Sequence, residues 1–528
     1  MLTARVEAGA LPPVAERLPA EPYVVTPYEE IGRYGGTARV VCVGTNCGDV
    51  LLLQSGFNGW VMMNPNTGEF EPHLMRQVDV NDDFTQYTFY LREGLRWSDG
   101  VPFTTADIEF WYNDVIQNSE LTPSPPNALR FDGELATLEI IDDYTFSFTF
   151  AGPKPFFLNQ LHHSSAYWTT PKHYLSQFHI NHTDPAEVQA MATAAGFDNW
   201  FQLFGDKNRT SQNVPLNPDL PTMGSYVLLE LTTEFRRYER NPYYWKVDTD
   251  GNQLPYIDEI YAEVVADREL YQGRIITGEV TLAGLQTSIS NFPLYRRFED
   301  EGNYRVALFT SGMGSDVVYQ VNMTHPDETL REIFQDVRFR QALSLAINRE
   351  EISQEVYFGR AEPRQYTLLE ISRYYRPEYA AAFTEFDLER ARALLDEMGL
   401  ATDAQGRRLR PDNNQPISFT IEYFDIETPK TPTTELVAEY WGELGLNVSF
   451  RSISGELARE RTVANLMDAT LWHGDKATDV LFPVAANFFV PAPFYWEIIW
   501  SAGWVPWFES GGQDGLEPPD NIKELRSW

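Results

Sequence analysis

The sequence predicts an α/β protein of two or three domains. Three observations carry this. At 528 residues the chain exceeds what one ordinary hydrophobic core encloses. Residues 85–116 join an alternating strand, a turn and a capped helix. Residues 418–451 read as a strand over 418–423, a helix around 435–444 and a strand over 447–451. A hydrophobic fraction of 43% and an aromatic fraction of 14% supply ample material for burial.

Taken in order, Gly35-Gly36-Thr37 leads into the alternation Ala38, Val40, Cys42, a first strand after an irregular N-terminal arm. Cys42 and Cys47, the two cysteines, flank a Gly44-Thr45-Asn46 turn. They could close a disulfide in an oxidising compartment or stand as two thiols, and two cysteines alone make no structural zinc site. Within 85–116, Thr88, Tyr90 and Arg92 alternate with Phe89 and Leu91, and Ser98-Asp99-Gly100 supplies turn chemistry. Thr104 with Asp107 then caps a helix whose Ile108, Trp111, Tyr112 and Val115 form one apolar face. Residues 137–150 read as a hairpin with Asp142-Asp143 at its turn and Phe146, Phe148 and Phe150 on one face. Gly224 to Leu228 and the segment 316–326 read as strands. In 336–363, Phe339, Ala342, Leu343 and Ala346 recur at helical spacing, a second helix restarts with Asn348 as N-cap and Glu351 completing its box, and Gly359 breaks it. No internal repeat or low-complexity tract is visible.

Composition excludes several classes of function. A formal net charge of −35 argues against nucleic acid or an anionic membrane surface as partner, since both require clustered Lys and Arg. The surplus acid reads as a solvated surface, and a salty habitat would favour the same balance. No apolar run approaches the ~20 residues of a spanning helix. Residues 1–19 lack the basic start and apolar middle of a signal peptide. The phosphate-loop, nucleophile-elbow, zinc-protease and dinucleotide motifs are all missing from the sequence, so neither an enzyme nor a bound cofactor is expected. Carboxylates are so abundant that any glycosidase-like pair is uninformative. His162-His163, His173, His179 and His182 invite a nickel or zinc reading, but the spacing does not put the last three on one helical face, and no metal site is expected.

The order Tyr-Thr-Phe-Tyr-Leu-Arg-Glu-Gly-Leu-Arg-Trp-Ser-Asp-Gly-Val-Pro-Phe-Thr over 87–104 resembles the extracytoplasmic solute receptors of peptide, opine and nickel import systems. The Val-Arg-Phe-Arg-Gln-Ala-Leu helix followed by Asn-Arg-Glu-Glu-Ile at 337–352 is similar to the same family, as are 239–260 and 386–400. The similarities run in the family's order from about residue 27 to the end. The resemblance implies a two-lobed periplasmic binding protein fold of type II, large cluster, with a hinge strand near 316–322. Lobe I would comprise 1–52 and 170–317, an accessory subdomain 53–169, and lobe II 318–528. The chain ends inside a capped helix after Pro518-Pro519, so the resemblance implies a C-terminus cut before a second crossing between lobes. It further implies a periplasmic or extracytoplasmic location, with an export signal or lipid anchor belonging to the precursor. The expected function is capture of an oligopeptide or similar oligomer between lobes and delivery to an ABC importer permease, by a monomer and without chemistry on the solute. An oligosaccharide or metal chelate is the alternative ligand, and a secreted hydrolase with an acidic dyad is a remote rival.

The strongest site candidate is Trp472-His473-Gly474-Asp475, where an apolar strand opens onto an aromatic face and a carboxylate. In peptide-binding relatives the Asp of a similar Trp-x-x-Asp segment accepts the ligand's α-ammonium and the Trp lines the pocket, which assigns ligand contacts to Asp475 and Trp472. The bland alternative is a loop carboxylate and a core tryptophan. Some relatives carry an Arg six residues before that Asp for a ligand carboxylate; here the position is Ala469, which weakens recognition of a peptide by both termini. Trp496, with Trp500, Trp504 and Trp507, offers planes for sugar rings or apolar side chains. Phe57, Asn58 and Asn322 complete the expected contacts by position.

Overall fold

The computed structural model describes residues 2–54, 59–64, 69–164, 168–211, 214–426, 428–479, 481–482, 487–491 and 498–527, without the side chains of 163, 164, 211 and 527. The chain divides into two compact units, one of Met1–Leu285 with Phe298–Tyr304 and one of Gln286–Arg297 with Arg305–Trp528. None of the described helices is long and apolar enough to cross a membrane. The mixed α/β character expected from the sequence is found in both units.

The first unit contains, in order, β1 (Thr37–Val43), α1 (Gly48–Leu53), β2 (Met75–Val80), β3 (Gln86–Leu91), α2 (Thr105–Phe110), β4 (Thr137–Asp142), β5 (Thr145–Thr149), β6 (Tyr226–Leu231), β7 (Phe235–Arg240) and β8 (Glu259–Val265). Two four-stranded sheets result, β2-β3-β5-β4 and β6-β7-β8-β1. The first follows directly from alternation: Tyr87, Phe89 and Leu91 of β3 and Phe146 and Phe148 of β5 are buried, and Trp60 meets Phe89, Phe146 and Trp168 edge to face at 5.4–5.5 Å. The capping box forms as expected, with the Thr104 N–H donating to Asp107 Oδ2 at 3.1 Å. Beyond α2 the helix continues as a π-helical turn, Trp111–Ile116, and buries Trp111 and Tyr112. In the preceding turn Gly100 has φ +91°, and a Cβ there would stand 2.8 Å from the Tyr243 ring, so both backbone and space call for glycine.

Cys42 and Cys47 form a disulfide with Cα atoms 4.4 Å apart, which settles the alternatives left by the sequence. Val43 and Asn46 exchange backbone hydrogen bonds across its turn, and Cys47 leads into α1. The buried Asp49 at the start of α1 accepts from Tyr271 Oη at 2.7 Å and from the amides of Gly284 and Leu285. Burial raises its carboxyl above the usual range, and these three donors oppose the shift.

The second unit contains β9 (Val318–Val321), α3 (Glu328–Gln335), α4 (Val337–Leu345), α5 (Arg349–Glu355), α6 (Leu388–Glu397), β10 (Ser418–Tyr423), α7 (Lys430–Gly442), β11 (Asn447–Ser452) and β12 (Ala469–Trp472). Its sheet runs β9-β12-β10-β11, antiparallel between β9 and β12 and parallel elsewhere. The helices α4 and α5 appear where the sequence puts them, and the Asn348 side chain accepts the Glu351 N–H at 3.2 Å. Asn348 also donates to the Glu351 carboxylate itself, so the box closes through side chains. Helix α7 starts five residues before the expected 435, because Pro432 falls in its first turn, where a missing N–H costs no helical bond. Phe334, Phe339, Phe419 and Trp441 form the centre of the core, and Trp441 Nε1 donates to Leu343 O at 2.9 Å.

Candidate functional site

Strand β12 pairs with β9 so that Trp472 lies opposite Val318 and Ala469 opposite Val321. At its end the chain leaves the ladder as His473-Gly474-Asp475-Lys476. Gly474 extends the pairing by two main-chain bonds, Gly314 N to Gly474 O at 2.8 Å and Gly474 N to Ser315 O at 2.7 Å. The Tyr366 ring packs onto Gly474 so closely that a Cβ would sit 2.4 Å from it.

Trp472 is 7% exposed, and its ring carries the Lys430 ammonium 4.8 Å from the centroid and the His473 ring at 4.4 Å. Lys430, at the start of α7, is itself buried and donates to Ile426 O and to Thr428 Oγ1. The ring is thus built into the unit as the floor beneath a cation. Burial and the Lys430 charge push the His473 imidazole down to about 4, so it is neutral at neutral pH. Asp475 binds Lys476 Nζ through Oδ2 at 2.6 Å and has His473 Nε2 at 3.9 Å. Its Oδ1 is buried without a hydrogen-bond partner.

A cavity of about 1140 Å³ opens in the same unit along β9. Its wall includes Asp316, Gln320, Tyr366, Phe489 and Trp500, with Gly314 and Ser315 joining it to the Gly474 bridge. Tyr366 stacks on Phe489 at 5.2 Å, and the Tyr366 hydroxyl is buried without a partner. Burial raises the Asp316 carboxyl, opposed by the Lys430 charge. Trp472 and Asp475 are not part of the cavity wall; they lie behind the Gly474 bridge.

The remaining expected contacts fall differently. Asn322 is 1% exposed and all its side-chain capacity is spent in the fold: Nδ2 donates to Asn465 Oδ1 and Met467 O, and Oδ1 accepts from the amide and hydroxyl of Thr324. It splices β9 to the turn before β12. Ala469 is buried among core residues of the sheet. Phe57, Asn58 and Trp496 lie outside the described residues. Of the other tryptophans, Trp500 reaches the cavity, Trp504 is buried, and Trp507 carries the Lys523 ammonium. Tyr366, Lys430 and Lys476 were not among the sequence-derived candidates, and no spacing signal marks them.

In the first unit, ligand-type atoms of Asp114, His179 and His182 lie within 4.8 Å of one another. They are already engaged: His182 Nε2 meets Asp114 Oδ2 at 2.8 Å, His179 Nε2 meets the Asp114 carbonyl at 2.9 Å, and His179 Nδ1 accepts from the Asn181 amide. The trio locks the π-helical turn to the 179–182 loop. His173 is bound elsewhere, to Asp99.

Residues 69–493 match the family described as bacterial extracellular solute-binding proteins, family 5 Middle. The periplasmic alpha-galactoside-binding protein of Rhizobium meliloti is 29% identical over 439 residues, which cover 76% of this chain and 59% of that protein. The periplasmic oligopeptide-binding protein OppA of Salmonella typhimurium is 25% identical over 70% of this chain and 61% of its own length. The chain thus spans about three-fifths of the length of these curated relatives. Among solved structures, an oligopeptide-binding protein OppA superposes with a TM-score of 0.71 at 36% identity, covering 100% of this chain and 84% of that one. The MelB binding protein of Agrobacterium fabrum, solved with stachyose, gives a TM-score of 0.74 at 22% identity over 99% of this chain and 78% of its own. Matched along most of its length and in both units' fold, the chain belongs to family 5 of the bacterial extracellular solute-binding proteins.

Proposed function

We propose that the protein is an extracytoplasmic receptor that captures a small oligomeric solute, an oligosaccharide or oligopeptide, and hands it to the permease of an ABC importer. The family supports capture and delivery, and relatives named for alpha-galactosides and for oligopeptides bracket the solute class. The observation that carries the reading within this chain is the aromatic-walled cavity along β9, beside a carboxylate with one unpartnered oxygen. Aromatic walls with a few convergent polar groups suit a ligand that is part apolar surface and part hydroxyl or amide. We assign the solute-facing roles to Tyr366 and Trp500, with Trp472 and Asp475 behind the Gly474 bridge that joins that wall to the sheet. The protein acts as a periplasmic monomer, retains its solute unchanged and has no role for nucleic acid. Mass spectrometry of small molecules released on denaturing freshly purified protein tests this. A stoichiometric oligosaccharide or peptide is expected; catalytic conversion of such a compound on incubation would overturn the receptor reading.

A further inference from the structure

Asp316, just before β9, lies partly buried in the cavity wall. Among the described residues no hydrogen bond or ion pair reaches its carboxylate. Its neighbour Ser315 turns its hydroxyl to Val317 O at 3.0 Å, and Thr433, in the same wall, donates to Pro429 O at 2.7 Å. Other acids of this unit are supplied by the fold: Asp327 accepts from the Leu330 amide and Arg410, Asp336 from Arg338, and Glu422 from Arg451 and Arg461. Burial instead holds the Asp316 carboxyl above the usual range, against the pull of the Lys430 charge. Burial and then the Asp316 charge raise the phenol of Tyr357, which also lines the cavity, so the two side chains stand close together in the wall. Two acceptor oxygens left without donors in a poorly hydrated wall cost free energy until something in the cavity supplies them.

The charges of the wall decide what kind of donor that is. In a chain with 41 Lys and Arg against 76 Asp and Glu, the wall reverses the balance, with Arg340, Arg349, Arg360 and Arg364 against Asp316 and the exposed Glu362. Among the described residues none of these arginines forms an ion pair: Arg340 donates to Phe334 O and Gln335 O, Arg349 to Ser344 O and Arg364 to Leu368 O, while Arg360 stands 4.7 Å from the centroid of the Phe292 ring. A solute ammonium would enter against this positive excess, whereas a hydroxyl carries no charge to be repelled.

We propose that Asp316 is a specificity-determining residue of the cavity, whose carboxylate receives neighbouring hydroxyls of a sugar ring, so that the solute is an oligosaccharide rather than a peptide with a free amine. This rests on the receptor reading above, with the cavity as the solute site. Adjacent ring hydroxyls present two donors to the two carboxylate oxygens at once. The apolar face of the same ring suits the aromatic planes of Tyr366 and Trp500.

The test is calorimetry on the full chain with stachyose and tetra-alanine, for the wild type, Asp316→Asn and Asp316→Ser, alongside thermal unfolding of each protein without solute. The wild type is expected to bind stachyose, and both variants to bind it tenfold or more weakly. Their solute-free Tm should equal or exceed that of the wild type, because each removes a carboxylate that the fold does not supply. Folded variants that keep the wild-type affinity overturn the inference, and so does a fall in Tm that accompanies the loss of affinity, since it would make Asp316 a prop of the fold. A wild type that prefers tetra-alanine to stachyose overturns the sugar assignment while leaving the receptor reading in place. A wild type that binds neither probe overturns the inference, and if it also releases no oligosaccharide or peptide on denaturation, the receptor reading falls with it.

Discussion

His473 makes the stability of the second unit depend on pH in a calculable way. Its imidazole is 5% exposed and neutral when folded, with burial and the Lys430 ammonium lowering it from 6.5 to about 4. The unfolded chain therefore takes up a proton that the folded chain refuses. Stability is full above pH ~6.5 and is lost as the pH falls from there toward about 4. At about pH 5 the difference in proton uptake amounts to about 2 kcal/mol, roughly a thirtyfold rise in the unfolded fraction. The lowered imidazoles of His73, His162 and His179 in the first unit act in the same direction, so a bulk melt mixes them. Hydrogen exchange resolved to β12 and β9, corrected for intrinsic rates, isolates the second unit. Protection there is expected to weaken by about 2 kcal/mol between about pH 7.5 and about pH 5 in the wild type, and by much less in His473→Gln. Equal pH sensitivity in the two proteins would refute the buried, neutral imidazole.

Three further outcomes follow from the packing. Trp472→Ala removes a buried ring and the surface that holds Lys430, and should cost about 3–5 kcal/mol in denaturant unfolding of the second unit; a loss under about 1 kcal/mol with a large fall in affinity would place the ring against solute instead. Asn322→Ala strands the Met467 carbonyl and the Thr324 amide, so a loss of roughly 1–3 kcal/mol is expected without any change in solute selectivity. Reduction of the Cys42–Cys47 bridge opens a short loop and should lower stability by about 2 kcal/mol on the chain-entropy scale, read as a drop in Tm with reductant, and an unchanged Tm would show that the turn holds without it.

Legibility in the sequence followed the range of the interaction. The strand at Gln86–Leu91 and the capped helix after it were readable because alternation and the Thr104–Asp107 box are properties of a few consecutive residues. The first turn of α7 was not, since Pro432 reads as a breaker unless its place in that turn is known. At the site, the sequence pointed to Trp472 and Asp475 as a pair. It could not show that Lys430, brought over by α7, already occupies the indole face. Nor could it show Lys476, whose contact with Asp475 depends on a left-handed backbone that no turn dipeptide announces. Asn322 looked like a polar group offered to a ligand because its partners Asn465 and Met467 are remote in the chain.

Strand β1 lies parallel to β8, with Thr37 beside Glu259, 222 positions further along the chain. Among the described residues nothing nearer in the chain pairs with β1 in that sheet, where it is the edge neighbour of β8. During synthesis β1 therefore has no partner in its sheet until nearly half of the polypeptide has emerged, whereas the β2–β3 and β4–β5 hairpins enclosed by that long loop can close as soon as they appear. An emerging chain of this kind carries an ordered aromatic kernel on an otherwise open thread. Late closure of the enclosing sheet leaves the edge of β1 unpaired for as long as the intervening span takes to emerge.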